Sequence, residues 1–169
     1  MWTKKKKIIY IFYIALAKWL PESRHFSLAK KIRCFFAKRI MKDMGINVNI
    51  EKGAIFGPDI VIGNESGIGI NCELSGPVVI GDEVMMGPEV VVYTQNHKHN
   101  LGTPFGKQGY DIKPVEIGNN VWIGRRAMFM PGSKIGNNVV VAAGAIVSGE
   151  FPSNVIIGGV PAKIIKEIS

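Results

Sequence analysis

Large apolar residues recur at every sixth position along most of this chain. Glycine directly follows eight of the fourteen positions, and a small or β-branched residue stands two places before each. This period predicts an all-β fold, a parallel β-helix in which three six-residue segments form one coil, so fourteen segments predict about five coils. We expect the glycines at corners with positive φ, which favours a residue without Cβ. The repeated positions are Ile50, Phe56, Ile62, Ile68, Leu74, Ile80, Met86, Val92, Ile117, Ile123, Phe129, Ile135, Val141 and Val147.

Residues 1–45 follow a helical spacing instead. Apolar positions three or four apart predict two short N-terminal α-helices, over about 8–20 and 27–44, the first ended by a proline and the second by a glycine. The sequence therefore predicts a basic amphipathic arm followed by one repeat domain. The predicted units are the helical arm 1–45 and the β-helix domain 46–169, with an extruded loop at 93–116 and a C-terminal segment at 158–169.

Charge divides the chain near the same place. Residues 1–42 hold 12 of the 21 Lys and Arg residues but one of the 13 Asp and Glu residues, while the remainder is weakly acidic. Two interpretations of this arm stay open. Either both helices pack on the main body with their lysines in water, or the arm lies on an anionic membrane surface. The charge comes without a nucleic-acid-binding motif, so we expect no nucleic-acid partner.

The cysteines and the N-terminal apolar run bear on the compartment. Cys34 and Cys72 are too few for a disulfide framework, which suits a reducing compartment. Cys72 occupies a small inward position of the repeat, where we expect a buried packing residue. The apolar run has no small-residue cleavage site and, at thirteen residues, is shorter than a bilayer span. We expect a cytoplasmic protein, peripheral on the inner membrane if the arm binds lipid.

One stretch, residues 93–116, interrupts the repeat. Its sequence is YTQNHKHNLGTPFGKQGYDIKPVE, and we expect a long functional loop without secondary structure of its own. It contains His97 and His99, and a loop imidazole is a candidate general base because it exchanges protons near neutral pH. We expect no metal, since a zinc site of three imidazoles would need His25, which lies in the arm.

Several segments resemble one known family, the hexapeptide-repeat O-acetyltransferases, which comprise maltose and galactoside acetyltransferases and polysaccharide-modifying relatives. The resemblance covers about residues 46–168 and is carried by NHKHN, PVEIGNNVWIG, PGSKIGNNVVVAAGAIVSGEFP and GGVPAKIIKEI. It implies a left-handed β-helix, a homotrimer with active sites between neighbouring subunits, acetyl-CoA as acyl donor and a saccharide acceptor. The arm, with AKWLPES and KKIRCFFAKRIMKDMG, resembles the capsule and exopolysaccharide branch.

The resemblance also implies roles for single residues. His97 stands four residues after Tyr93, where the family's YTxxH segment has its catalytic histidine. It would act as general base on a sugar hydroxyl, which attacks the thioester directly in a ternary complex. The implied CoA contacts are Arg125, Ala143, Ser148, Gly149, Lys163 and Lys166, and the implied acceptor contacts are Glu89, Tyr93, Asn96 and His99.

Some positions depart from the family's pattern. Ser148 and Gly149 replace a common Thr-Lys pair, which removes a lysine contact to CoA and makes Arg126 a candidate replacement. Glu89 replaces a common Asn, and a carboxylate accepts hydrogen bonds but does not donate them. Two other functions stay open on the sequence: N-acetylation of an amino sugar, since the same base serves both acceptors, and a non-catalytic β-helical scaffold at the membrane.

Overall fold

The computed structural model describes residues 1–168. Its N-terminal part consists of α1 (Lys4–Phe12), which continues as a π-helical segment (Tyr13–Ala17), and α2 (Ser27–Ile40). The first helix begins one turn before the predicted start at residue 8. The reason is a cap, because the side chain of Thr3 accepts a hydrogen bond from the backbone amide of Lys6 at 3.2 Å.

The second helix ends at Ile40, so the prediction that it extends to Met44 is wrong. The residues Asp43–Met44 leave the helix and pair in parallel with Val61 and Ile62. Their backbone groups are satisfied by the first strand of the repeat domain rather than by a last helical turn. The chain therefore enters the β-structure before it reaches the glycine that was expected to stop the helix.

The repeat domain is a parallel β-solenoid with three faces. Equivalent residues of successive coils pair in register, as Ile62 does with Ile80, 18 positions later. The first two strands of face 2 are connected to its later strands by a hydrogen bond, which the amide of Gly67 donates to the carbonyl of Val84 at 2.9 Å. Face 1 contains the strands Asp43–Met44, Ile60–Ile62, Val78–Ile80, Val115–Ile117, Lys134–Ile135 and Glu150–Phe151. Face 2 contains Asn49–Ile50, Gly67–Ile68, Met85–Met86, Val121–Ile123, Val139–Val141, Val155–Gly159 and the antiparallel strand Ala162–Glu167. Face 3 contains Ile55–Phe56, Glu73–Leu74, Val91–Val92, Met128–Phe129 and Ile146–Val147.

The solenoid has about six coils, because face 1 alone contains six strands, whereas the six-residue count predicts about five. One strand, Asp43–Met44, precedes the first repeated position. At the other end Ile135 pairs with Phe151, a separation of 16 residues rather than 18. The last coil is therefore out of phase with the period of six, which explains why the count misses it.

The eight glycines that directly follow the repeated positions do not occupy positive-φ positions, so our prediction for them is wrong, whereas other corner glycines such as Gly132 and Gly144 do. Between faces 1 and 2 those positions belong to polar residues such as Asn120, with φ of 51°. The glycines are needed for close stacking of the corners instead. A Cβ on Gly118 would lie 2.6 Å from the carbonyl oxygen of Gly136 in the next coil, well inside van der Waals contact.

Inward residues of all three faces and the inner sides of both helices form one buried core. Tyr13 is fully buried, donates its hydroxyl hydrogen to the carbonyl of Ala54 at 2.8 Å and lies against Phe56. Cys72 is buried in this core as predicted, and burial raises the pKa of its thiol to about 11. The helices therefore pack on the main body, and their lysines largely remain in solvent.

Candidate functional site

The interruption of the repeat folds into an antiparallel hairpin, so the prediction of a loop without secondary structure is wrong. The strand Gln95–His97 pairs with Tyr110–Ile112, and the tip carries a 3-10 turn at Phe105–Lys107. Thr94 anchors the base of the hairpin, because its buried hydroxyl donates to the carbonyl of Ser75 in the preceding coil at 2.6 Å. The hairpin therefore leaves the solenoid at the corner between faces 3 and 1.

His97 is exposed on the first strand of this hairpin and lies opposite Tyr110 in the register. The two ring centroids are 4.3 Å apart, with the rings tilted by 40°. Tyr110 therefore limits the orientations open to the imidazole. Neighbouring residues of a strand point to opposite sides, so Asn96 projects from the other side of the hairpin. Tyr93 and His99 are exposed, two residues before and two residues after the strand Gln95–His97.

Glu89 and Arg125 meet at the corner between faces 2 and 3. The carboxylate of Glu89 accepts hydrogen bonds from the guanidinium of Arg125 and, at 2.6 Å, from Nε of Arg126. These two bonds, with that from Arg126 contributing most, hold the pKa of Glu89 below its usual value. In the next coil the amide of Gly144, which follows Ala143, donates to the carbonyl of Arg125 at 2.9 Å.

The structure thus brings together residues that the resemblance assigned to different substrates. Arg125 and Ala143 were implied for CoA, whereas Glu89 was implied for the acceptor, and all three share one column of corners. The contact between Glu89 and Arg126 spans 37 residues and has no local sequence signal. The same holds for Tyr110, thirteen residues from His97, whose side chain meets the imidazole only because the hairpin forms.

The other implied CoA contacts lie elsewhere on the protomer. Ser148 and Gly149 occupy the corner between faces 3 and 1, where the carbonyl of Gly149 accepts a hydrogen bond from the amide of Lys134 at 3.0 Å. Lys163 and Lys166 are exposed on the C-terminal strand, which runs antiparallel to Val155–Gly159. The six implied CoA contacts therefore do not form a single cluster within one protomer.

The root of the hairpin and the Arg125 corner lie at opposite edges of face 3. Between them runs the strand Val91–Val92, with Glu89 before it and Tyr93 after it. A strand advances about 3.3 Å per residue, so the four steps from Glu89 to Tyr93 span roughly 13 Å. Within one protomer, the stem of the hairpin that carries His97 begins a full face away from the Arg125 corner.

Comparison of the sequence with known proteins identifies the family. Residues 114–149 match the family model described as "Bacterial transferase hexapeptide (six repeats)". Over 141 residues the chain is 32% identical to WbbJ of Escherichia coli (strain K12), named as an O-acetyl transferase of lipopolysaccharide biosynthesis, with 78% of this chain and 70% of WbbJ covered. The chain belongs to the hexapeptide-repeat acetyltransferases. It is also 35% identical over 136 residues to galactoside O-acetyltransferase of the same strain.

The extent of these similarities differs between sequence and structure. The match to galactoside O-acetyltransferase covers 78% of this hexapeptide-repeat chain but 66% of that protein, so this chain spans about two thirds of its length. The fold is similar to that of a galactoside acetyltransferase in complex with coenzyme A, with a TM-score of 0.82 and 29% identity. That likeness covers 98% of this chain and 80% of the other.

Metal-ligating side chains are dispersed over the part of this hexapeptide-repeat protein that the structure describes. Within residues 1–168, three or more His, Cys, Asp or Glu side chains do not come together in a group that could hold a metal. His97 and His99 are two residues apart on the hairpin, whereas His25 lies in the turn before α2.

Proposed function

We propose that this protein is an acetyl-CoA-dependent O-acetyltransferase that acts on a sugar hydroxyl of a saccharide or polysaccharide precursor. The observation that carries the proposal is the exposed imidazole of His97 on an extruded hairpin, oriented by Tyr110. The names of two relatives, a galactoside O-acetyltransferase and an O-acetyl transferase of lipopolysaccharide biosynthesis, support a sugar acceptor. The lipopolysaccharide relative also supports the assignment to the polysaccharide-modifying branch.

His97 acts as general base in the proposed reaction. Its imidazole takes the proton of the sugar hydroxyl while the oxygen attacks the carbonyl carbon of the acetyl thioester. The tetrahedral intermediate, whose oxyanion is stabilised by backbone N–H groups, collapses and releases CoA thiolate. The imidazolium then returns its proton to the thiolate, so the base is regenerated without a covalent acetyl-enzyme. Binding both substrates in one complex supplies proximity.

The donor and acceptor contacts are assigned by position. Arg125 and Ala143 lie in one column of corners and suit the pantetheine arm, and Ser148 and Gly149 lie in the other column, from which the hairpin leaves two coils earlier. Lys163 and Lys166 are exposed cations available to the CoA phosphates. For the acceptor we propose Tyr93, Asn96 and His99 around the base, with Glu89 contributing a carboxylate that is already held by two arginines.

We further propose that the active form is a homotrimer. The root of the hairpin with His97 and the corner with Arg125 lie at opposite edges of face 3, and a neighbouring subunit can bring one of each together. A galactoside acetyltransferase of similar fold is known in complex with coenzyme A, which supports CoA as the donor product. On this proposal, each site takes its base from one subunit and its Arg125 corner from the next.

The deciding experiment is thiol release from acetyl-CoA against a panel of sugars, glycosides, nucleotide sugars and amino sugars. We expect acceptor-dependent release that falls by about 10²-fold or more in His97→Ala, the usual size of a general-base effect. His25→Ala, which changes a histidine in the arm, is the matched control and should keep full activity. Release with amino sugars alone would identify an N-acetyltransferase. No release with any acceptor, together with no calorimetric binding of CoA, would favour the scaffold.

A further inference from the structure

The arm exposes several large apolar side chains, most of them on the first helical segment and the turn after it. Five large apolar side chains are between 52% and 64% exposed, four of them on the first helical segment and the fifth, Trp19, in the turn that follows it. Phe35 on α2 is also half exposed. The first helical segment packs on the solenoid with its other side, so its exposed apolar side chains point away from the solenoid. Phe35 lines a groove together with Met44 and Ile46, at the start of the solenoid. Together they form what we call the outer arm surface: Ile8, Ile11, Phe12, Leu16, Trp19 and Phe35.

Lysines flank the outer arm surface at the start of α1. Lys4, Lys5 and Lys7 are exposed, and the first turn of this helix contains no acidic residue. Positive charge at a helix N-terminus opposes the helix dipole, so these lysines lower the stability of α1. An anionic surface placed against this end would neutralise them. Lys6 behaves differently, because it turns inward and donates to the carbonyl of Met41 at 3.0 Å.

Two aromatic rings of the outer arm surface carry a cation directly above them. The ammonium of Lys18 lies 4.6 Å from the centre of the Trp19 ring, and the guanidinium of Arg39 lies 3.5 Å from that of Phe35. Rings at the acyl boundary with cations at headgroup level are the arrangement that anchors proteins at a bilayer surface. The apolar and the charged groups therefore occur in the combination that a lipid interface requires.

Charge complementarity indicates which kind of partner binds the outer arm surface. Residues 1–42, which make up most of the arm, hold 12 basic residues and one acidic residue, whereas the rest of the chain holds 9 and 12. A second copy of the arm would bring two basic surfaces together, and a neutral bilayer would leave the lysines without partners. We propose that the outer arm surface binds an anionic phospholipid bilayer, lying in its interface and holding the solenoid by its N-terminal end.

Within residues 1–168, a helix that combines sufficient length and sufficient apolar character to cross a membrane does not occur. The proposal goes beyond acetyl transfer and does not depend on it, since vesicle binding is measured without donor or acceptor. Failure of one proposal therefore leaves the other standing.

The test is co-sedimentation of the full chain with vesicles of phosphatidylcholine, with or without about one third phosphatidylglycerol. We expect binding to the anionic vesicles that weakens in high salt, and little binding to the neutral ones. The triple variant Phe12→Ser, Leu16→Ser, Trp19→Ser should lower the partition coefficient by at least ~10-fold, because it removes apolar area from the interface. Quenching by brominated lipid should reach Trp19 and not Trp122, which lies on the solenoid.

The matched control removes three exposed apolar side chains outside the outer arm surface, in Val79→Ser, Leu101→Ser, Val160→Ser. It should bind vesicles as the wild type does, and circular dichroism should show that both variants are folded. Equal binding by wild type and the first variant, or no binding of the wild type to anionic vesicles, would overturn the proposal. A change in oligomeric mass of the first variant, without vesicle binding by the wild type, would identify a protein interface instead.

Discussion

The fully buried Arg33 donates a hydrogen bond from Nε to the backbone carbonyl of Ile50 at 2.6 Å, and thereby fastens α2 to the first coil of the solenoid. Its other two nitrogens donate hydrogen bonds to groups in the turn that connects the two helices. A carboxylate, that of Glu51, lies 3.5 Å from the guanidinium and offsets its charge. The partners in the turn are the carbonyls of Leu20 and Pro21 and the hydroxyl of Ser23.

Loss of this guanidinium should destabilise the protein strongly. Arg33→Ala leaves the carbonyls of Ile50, Leu20 and Pro21 without this donor and removes the cation beside the partly buried Glu51. We therefore expect the free energy of unfolding to fall by about 3 kcal/mol or more. Lys134→Ala is the control, because Lys134 pairs with Glu150 at the surface and such pairs contribute less than about 1 kcal/mol. Urea unfolding measures both. Equal losses in the two variants would contradict the role of Arg33.

The carboxylate of Glu51 predicts a pH dependence of stability. Burial acts to raise its pKa, but hydrogen bonds from the Ser23 amide and the Asn49 side chain outweigh burial and lower the pKa. Ionised Glu51 therefore stabilises the fold above the unfolded pKa of about 4.3, and this contribution is lost as the pH falls through the lower folded pKa.

Glu51→Gln should accordingly be less stable than wild type at pH 7, with a difference that shrinks on acidification below about pH 4. Thermal unfolding at a series of pH values measures this. Glu116→Gln, which changes an exposed carboxylate on face 1, should follow the wild-type profile. If the difference in stability between the wild type and Glu51→Gln does not vary with pH, this linkage is excluded.

Close stacking of the corners predicts opposite outcomes for two glycines of the repeat. Gly118→Ala places a methyl group 2.6 Å from the Gly136 carbonyl oxygen, so neighbouring backbone must move, and we expect a loss of about 2 kcal/mol. Gly57→Ala meets no atom within 4 Å and should change stability by less than about 0.5 kcal/mol. Chemical unfolding compares them, and similar losses at both positions would argue against corner stacking.

Tyr110 is a positioning residue on the proposed mechanism. Tyr110→Ala frees the imidazole of His97 from the ring beside it, so we expect turnover to fall by about 10-fold while the KM for acetyl-CoA is unchanged. Tyr110→Phe keeps the ring and should restore most of the activity, which a general loss of folding would not allow. Ile112→Ala, an exposed position of the same strand, is the control. Full activity of Tyr110→Ala would remove this role.

Local patterns explain which parts of the fold could be predicted from the sequence. The period of six predicts the solenoid because each segment repeats the same inward residue and corner, and the spacing of apolar residues predicts the two helices. The prediction fails where a distant partner decides the conformation. Asp43–Met44 leaves the helix to pair with Val61 and Ile62, and the last coil shifts phase because its corner is two residues shorter.

The candidate site shows the same division. Sequence resemblance proposes His97 as the base and a set of CoA contacts, since these proposals depend on motifs within a few residues. The pairing of Glu89 with Arg126 and the packing of Tyr110 on His97 have no such motif, because they arise from stacked coils and from a hairpin. The exposed apolar row of the arm also needed the structure, which shows which side of each helix the solenoid covers.

The amino-acid sequence by itself determined the solenoid, the helical arm and the division of charge between them, because periodicity and composition act through near neighbours. The tertiary structure alone decided that Arg33 is buried against Ile50, that the hairpin forms and that two arginines share the Glu89 carboxylate. The physical reason is that these contacts join residues 13 or more positions apart, whose side chains meet only after the coils have stacked and the arm has packed on the first of them.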